Sequence, residues 1–509
     1  MSNPPLARRA PISTGIPGLD EVLGGGFTPD RLYLIEGVPG AGKTTLAMQF
    51  LLDGVARGEQ VLYVSLSETR SELQEVADSH GWSLEGLGIH EFLTSDENLN
   101  PDEQYTMFHP SEVELSDTIQ AILAEVERQG PTRLVFDSLA ELRLLAGSPL
   151  RYRRQVLALK QYFAGRGCTV LLLDDSAISE YGLHVHTIVH GVVSLDQLNP
   201  EYGGDRRRLR VSKYRGRRFR GGFHDYHILT GGLRVFPRLV AAEYRRDSAH
   251  ETVSSGLPAL DSLLGGGLDR GTSTLVVGAA GTGKSSLVTH FMMEAANRGE
   301  RSVLFAFDES IHSLLTRSQG IGFQLQEHVD SGMIQLQAVD PAELLPGEFA
   351  QAIRDAVEND GVRFVAIDSL NGYLNAMPEE RFMIVQLHEL LTYLGQMGVV
   401  TLLVSTQPGL IGPMAQGVDV SYIADGVILL RYFEAAGEVR QAISVLKKRT
   451  GMHERTIREM RVSHKGIAIG EPLREFQGVL TGVPQERQVM TEHGLKADKV
   501  LVTAGDDHA

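Results

Sequence analysis

The chain has 509 residues, of which 42% are hydrophobic and 22% charged, and its formal net charge is -16. That length exceeds one ordinary core and points to at least two domains, while the composition excludes wholesale disorder. The acidic balance speaks against nucleic acid as the main partner, and no window approaches the ~18 apolar residues that a membrane span requires.

Residues 1–11 form an N-terminal extension whose start, Met1-Ser2-Asn3-Pro4-Pro5, lacks the apolar core of a signal peptide, so a cytoplasmic location is expected. The pattern proper begins with Ile12-Ser13-Thr14-Gly15-Ile16-Pro17-Gly18-Leu19-Asp20, followed by Leu23-Gly24-Gly25-Gly26. Arg31 to Glu36 predicts a buried strand and Leu46 to Leu52 a helix. Between them lies Gly37-Val38-Pro39-Gly40-Ala41-Gly42-Lys43-Thr44-Thr45, which fits the G-x-x-x-x-G-K-[ST] phosphate loop. In that setting Gly40, Ala41, Gly42, Lys43, Thr44 and Thr45 cradle nucleotide phosphates at a helix N-terminus. Lys43 reaches the β- and γ-phosphates, and the Thr44 hydroxyl holds Mg²⁺.

Further along, Val61 to Leu66 predicts a strand that ends at Ser67-Glu68. A second apolar run, Arg133 to Phe136, ends at Asp137, and Val170 to Leu173 predicts another strand. Asp137 is placed to order the metal, the competing reading being a helix cap. Cys168 stands alone in an apolar run and reads as packing. Late in this half come Arg206-Arg207-Arg208-Leu209-Arg210, Lys213-Tyr214-Arg215 and Arg217-Arg218-Phe219-Arg220. Three readings stand side by side: cationic fingers for a neighbouring subunit's γ-phosphate, a nucleic-acid contact, and a solvated strand face.

The whole series then repeats. Val253-Ser254-Ser255-Gly256-Leu257-Pro258-Ala259-Leu260-Asp261 precedes Leu264-Gly265-Gly266-Gly267, and a second loop runs Gly278-Ala279-Ala280-Gly281-Thr282-Gly283-Lys284-Ser285-Ser286. Gly281, Thr282, Gly283, Lys284, Ser285 and Ser286 take the same roles, with Ser285 on the metal. Asp308-Glu309 ends the next strand at the same offset as Ser67-Glu68, Asp368 answers to Asp137, and Lys447-Lys448-Arg449 to Lys213-Tyr214-Arg215. Glu68, Asp308 and Glu309 are the candidate bases for activating water. Ser67, in place of an acid, leaves the first lobe dependent on Glu68. Apolar strands alternating with helices predict two α/β lobes in tandem, each a mostly parallel sheet with helices on both faces. The expected divisions are 12–240 and 251–482, with a linker at 241–250 and a mobile tail at 483–509.

The doubled S-T-G-I-P-G-L-D…L-G-G-G opening, the two phosphate loops, the two D-S strand ends and the two late basic pairs closely resemble the KaiC family. These are double RecA-like ATPases and autokinases of the bacterial circadian clock. The resemblance runs from about residue 12 to about 482. It implies a hexamer, with ATP and Mg²⁺ held at the subunit seams, and clock or signalling proteins as partners. It also implies that Lys213, Arg215, Lys447 and Arg449 approach the neighbouring subunit's nucleotide. Val420-Ser421-Tyr422-Ile423-Ala424-Asp425 matches the family's phosphorylated stretch, with Ser421 on the serine acceptor and Tyr422 where threonine is common. Ser67 and Tyr422 depart from the family pattern. Alternative readings are a nucleotide-dependent signalling scaffold with weak turnover and a RecA-type DNA-dependent ATPase.

Overall fold

The computed structural model describes residues 10–92, 110–175, 185–199, 203–244, 251–375, 380–407, 421–479 and 485–486. The described residues divide into two compact units. Those up to 244, with those of 340–359 and 374–390, form one, and the remainder form the other.

In the first unit the strands are β1 (Leu32–Gly37), β2 (Val61–Ser65), β3 (Gly88–Glu91), β4 (Arg133–Asp137) and β5 (Thr169–Asp175). After them come β6 (Gly191–Leu198), β7 (Arg206–Tyr214), β8 (His224–Leu229) and β9 (Gly232–Phe236). They make one sheet in the order β3-β2-β4-β5-β1-β6-β7-β8-β9. Pairing is parallel from β3 to β6 and antiparallel from β6 to β9. Leu134, Val135 and Phe136 of β4 and Val170 to Leu173 of β5 are all buried, as strands covered on both faces must be.

The second unit repeats this plan. A short ladder of β10 (Thr252–Val253) and β11 (Leu268–Asp269) precedes β12 (Ser273–Gly278), β13 (Ser302–Ala306), β14 (Ile334–Ala338), β15 (Phe364–Asp368) and β16 (Val400–Thr406). The sheet is completed by β17 (Gly426–Ala435), β18 (Glu438–Lys448), β19 (Arg458–Ser463) and β20 (Gly466–Pro472). The order is β14-β13-β15-β16-β12-β17-β18-β19-β20, strand for strand that of the first sheet. The expected fold class, two tandem P-loop lobes with mostly parallel sheets flanked by helices, is the fold observed. The antiparallel meander along one edge of each sheet is the part that strand-and-helix alternation did not foretell.

Both meanders carry a β-bulge at the same place. Val192 pairs with Lys213 and Val193 with Val211, leaving Ser212 as the extra residue. Val427 pairs with Lys447 and Ile428 with Val445, leaving Leu446. One extra residue bends the strand and re-aims the side chains beyond it. Each bulge falls immediately before the Lys-x-Arg sequence.

The first lobe buries one charge deeply. Arg133, 1% exposed, donates to Glu59 at 2.8 and 2.9 Å, to Asp53 at 3.0 Å and to the Phe50 carbonyl at 2.8 Å. At the same register position the second lobe has Phe364. Arg133→Ala removes the cation and leaves two carboxylates in its place. The expected cost is about 3 kcal/mol, read as a lower urea midpoint for the first lobe. Cys168 is buried, and burial pushes its thiol up to about 12, so packing is its role. The expected linker lies outside the described residues from 245 to 250. So does the expected tail, apart from Gln485–Glu486.

Candidate functional site

Each phosphate loop joins the central strand of its sheet to a helix. β1 leads through Gly40 and Gly42 into the helix Lys43–Ala56, and β12 leads through Gly281 and Gly283 into the helix Lys284–Asn297. Gly42 and Gly283 cap those helices at φ +88° and +91°, a region that glycine alone enters without cost. A Cβ on Gly42 would lie 2.5 Å from Ile228 Cδ1, so a side chain there would have to push the Ile228 tip aside as well as strain the turn. Neither helix carries an acidic residue in its first turn. Its amide dipoles are therefore not offset by the chain's own carboxylates there, which suits an anionic ligand.

In the first lobe Lys43 Nζ lies 2.9 Å from the Gly37 carbonyl and 2.9 Å from Asp175 Oδ1. Thr44 Oγ1 donates to Asp137 Oδ2 at 3.3 Å, and the Tyr63 hydroxyl donates to the same oxygen. Burial raises the Asp137 carboxyl above its usual range, against the hydrogen bonds from Tyr63 and Thr44. A hydroxyl beside a buried carboxylate is a hard-oxygen pair, and Mg²⁺ fits it. Glu68 stands nearby, held at its backbone by Ser65, whose hydroxyl accepts from the Glu68 N–H at 2.9 Å. Its Oε2 is buried with no hydrogen-bond partner among the described residues. Burial, then the neighbouring charges of Asp137 and Glu72, push this carboxyl up to about 7. A carboxylate with an open oxygen and a proton affinity near neutrality is suited to accept a proton.

The second lobe repeats the frame with different partners. Lys284, 6% exposed, donates to the Ala279 carbonyl at 2.8 Å. Burial draws its ammonium down, opposed by the charges of Asp368 and Asp308. Burial raises the Asp368 carboxyl, opposed chiefly by a hydrogen bond from Ser285. Here both candidate bases are engaged. Asp308 accepts a hydrogen bond from the Ser369 hydroxyl, and Glu309 is paired with Arg317 at 2.8 Å. Arg317 also reaches Ser286 Oγ at 3.0 Å.

The late cations lie on the strand ends beyond the bulges and hold equivalent segments. Lys213 Nζ donates to the carbonyls of His186 and Val189, and Arg215 to that of Thr187. Lys447 Nζ donates to the carbonyls of Ser421 and Ala424, at 2.8 and 2.7 Å, and Arg449 to that of Tyr422. His186–Thr187 is thus the first lobe's counterpart of Ser421–Tyr422. Asp425 anchors the second segment to β12, accepting from the N–H and hydroxyl of Ser273 at 3.0 Å each. Ser421 is half-buried and Tyr422 is 55% exposed, while Val420 lies outside the described residues.

Sequence reasoning missed three residues at these sites. Tyr63 sits in an apolar run and reads as core; only its hydroxyl, reaching Asp137, says otherwise. Arg317 lies on a helix eight positions beyond the glutamate it binds. Asp175 ends β5, and an acid closing an apolar run was the available signal. Of the acids singled out from sequence, Glu68 and Asp137 lie within electrostatic reach of Lys43, and Asp308 and Asp368 within reach of Lys284, while Glu309 is turned to Arg317.

A family model described as the KaiC ATPase matches residues 12–240 and again 253–474. The chain is 30% identical over 504 residues to the circadian clock protein KaiC3 of Synechocystis sp. PCC 6803, covering 96% of this chain and 98% of the relative. It is 29% identical over 482 residues to the circadian clock oscillator protein KaiC of Synechococcus elongatus, covering 93% and 92%. With the corresponding KaiC of Picosynechococcus it shares 28% over 480 residues, covering 93% and 92%.

Proposed function

The chain belongs to the KaiC family of ATPases, and from that premise we propose that both lobes bind ATP at their phosphate loops and divide the chemistry between them. The observation that carries this is the doubled frame: a glycine-capped helix start, a lysine on the loop, and a Thr44–Asp137 or Ser285–Asp368 pair beside it. Mg²⁺, when bound at those pairs, would screen the phosphate charge.

In the first lobe Glu68 takes the proton of the attacking water, and Lys43 and the helix N-terminus stabilise the phosphate charge. In the second lobe the γ-phosphoryl group passes to Ser421 of the adjoining subunit in a ring, with a hexamer as the expected assembly. The Ser421 oxygen forms a bond to phosphorus as the bond to the β-phosphate oxygen breaks, ADP leaves, and the hydroxyl proton goes to Asp308 or Glu309. Lys447 supports this by bracing the Ser421 carbonyl, and Arg449 by lying half-exposed beside it. Lys213 and Arg215 hold the corresponding His186–Thr187 segment in the first ring, and all four cations lie on the segments that face the neighbouring subunit's nucleotide in this reading. Partners are signalling or clock proteins that read the nucleotide state.

The test is incubation with Mg·ATP followed by phosphosite mapping and measurement of particle mass. Phosphate on Ser421, absent from Ser421→Ala and from Lys284→Ala, is expected, together with a mass near six chains. An unmodified Ser421 alongside undiminished ATP turnover removes the kinase half. A second reading is favoured by the engaged acids Asp308 and Glu309: a scaffold whose second ring holds ATP and turns it over slowly. Nucleotide-dependent partner capture without phosphate on Ser421 would select it.

A further inference from the structure

The two lobes differ at the strand beside the loop. β5 ends on Asp175, in register with Gly37, the first residue of the loop. In the second lobe the same register position, opposite Gly278, holds Thr406. Asp175 Oδ1 lies 2.9 Å from Lys43 Nζ, with the lysine side chain 12% and the aspartate 53% exposed. Lys43 is the amine that a nucleotide's β- and γ-phosphates need. The first lobe therefore already pairs its phosphate-binding cation with an anion of its own. Lys284 is held instead by a neutral carbonyl, that of Ala279.

Two consequences follow for an incoming nucleotide. Any phosphate that takes Lys43 must displace the carboxylate, which weakens di- and triphosphate alike. Once displaced, Asp175 remains at the mouth of the loop, with Asp137 and Glu68 deeper in. A terminal phosphate adds negative charge beside those carboxylates, whereas a diphosphate does not. Glu68 is the carboxylate with the buried open oxygen, so the hydrolytic scheme leaves Asp175 without a part.

We propose that Asp175 sets the first lobe's discrimination between nucleoside di- and triphosphate, standing in for the terminal phosphate on Lys43 and penalising the triphosphate when it arrives. The second lobe, with Thr406, lacks this penalty. This rests on the reading that the first lobe binds nucleotide at Lys43.

The experiment uses the full chain carrying Lys284→Ala, so that the first lobe alone reports, and displaces a fluorescent ADP analogue with ATP or ADP in the presence of Mg²⁺. Asp175→Asn and Asp175→Thr should each shift the ATP-to-ADP affinity ratio toward ATP by about tenfold, and Asp175→Glu should keep the parent's ratio. Because Asp175 is half-exposed, the shift should shrink as salt rises from about 0.05 M to about 0.5 M, which a packing change would not do. In the chain with Lys284 intact, the same substitutions should raise the ATP share of nucleotide retained on purification. A ratio within about twofold of the parent in both the Asn and Thr variants, or equal loss of both nucleotides, overturns the proposal. A parent that binds neither nucleotide overturns the binding reading itself; a parent that binds both leaves only the role of Asp175 at stake.

Discussion

In the Lys284→Ala background, Glu68→Gln cuts ATP hydrolysis by about a hundredfold or more, while ATP affinity stays within a few-fold of the parent. Glutamine keeps the volume and the backbone hydrogen bonds to Ser65 but cannot accept a proton. The parent's pH profile makes the sign explicit. The Glu68 carboxyl sits at about 7, raised first by burial and then by Asp137 and Glu72. Below that pH its oxygen is occupied by a proton; above it the oxygen is open. The value of kcat/KM, which reports the free enzyme, should climb about tenfold per pH unit toward 7 and level off beyond it. The climbing limb should vanish in Glu68→Gln. A parent profile without an inflection near neutrality assigns the base elsewhere.

Lys284→Ala in the otherwise unaltered chain lowers the second lobe's affinity for ATP by about a hundredfold. Lys284 is 6% exposed, its ammonium lies within reach of the Asp368 and Asp308 charges and the loop, and burial already weakens its hold on its proton. Its loss leaves those carboxylates facing an arriving polyphosphate without their nearest cation. Arg317 does not substitute, since Glu309 and Ser286 already take its donors. Titration calorimetry should resolve two site classes in the parent and one in the variant. Two unaltered classes would mean that this loop is not where phosphate binds.

Much of the site was legible in the chain because the chemistry is local there. A glycine-rich turn between an apolar run and a helix, occurring twice, marks the proposed phosphate sites, and acids closing apolar runs mark the proposed metal and base positions. What could not be read depends on register between distant strands. Tyr63 reaches Asp137 because β2 pairs with β4, with Ser65 opposite Asp137. Asp175 reaches Lys43 because β5 ends level with the loop. Ser67 leaves the first lobe with Glu68 as its candidate base. That carboxyl has an oxygen with no partner among the described residues, whereas the second lobe's acids are already engaged, a difference no residue pattern carries. Arg133 reads as the polar start of a strand, and only the packed sheet shows it enclosed by Asp53 and Glu59.

The paired bulges at Ser212 and Leu446 set the phase of everything that follows them along their strands. Side chains on a strand alternate, so deleting either residue would invert that alternation for Lys213 to Arg215 or for Lys447 to Arg449. The lysines would then exchange faces with Tyr214 or Lys448, and the loops they tether would lose their moorings. Deleting the extra residue of a bulge can leave the pairing upstream of it unchanged. At these two positions it should act like removal of the downstream cations, while leaving the phosphate loops intact.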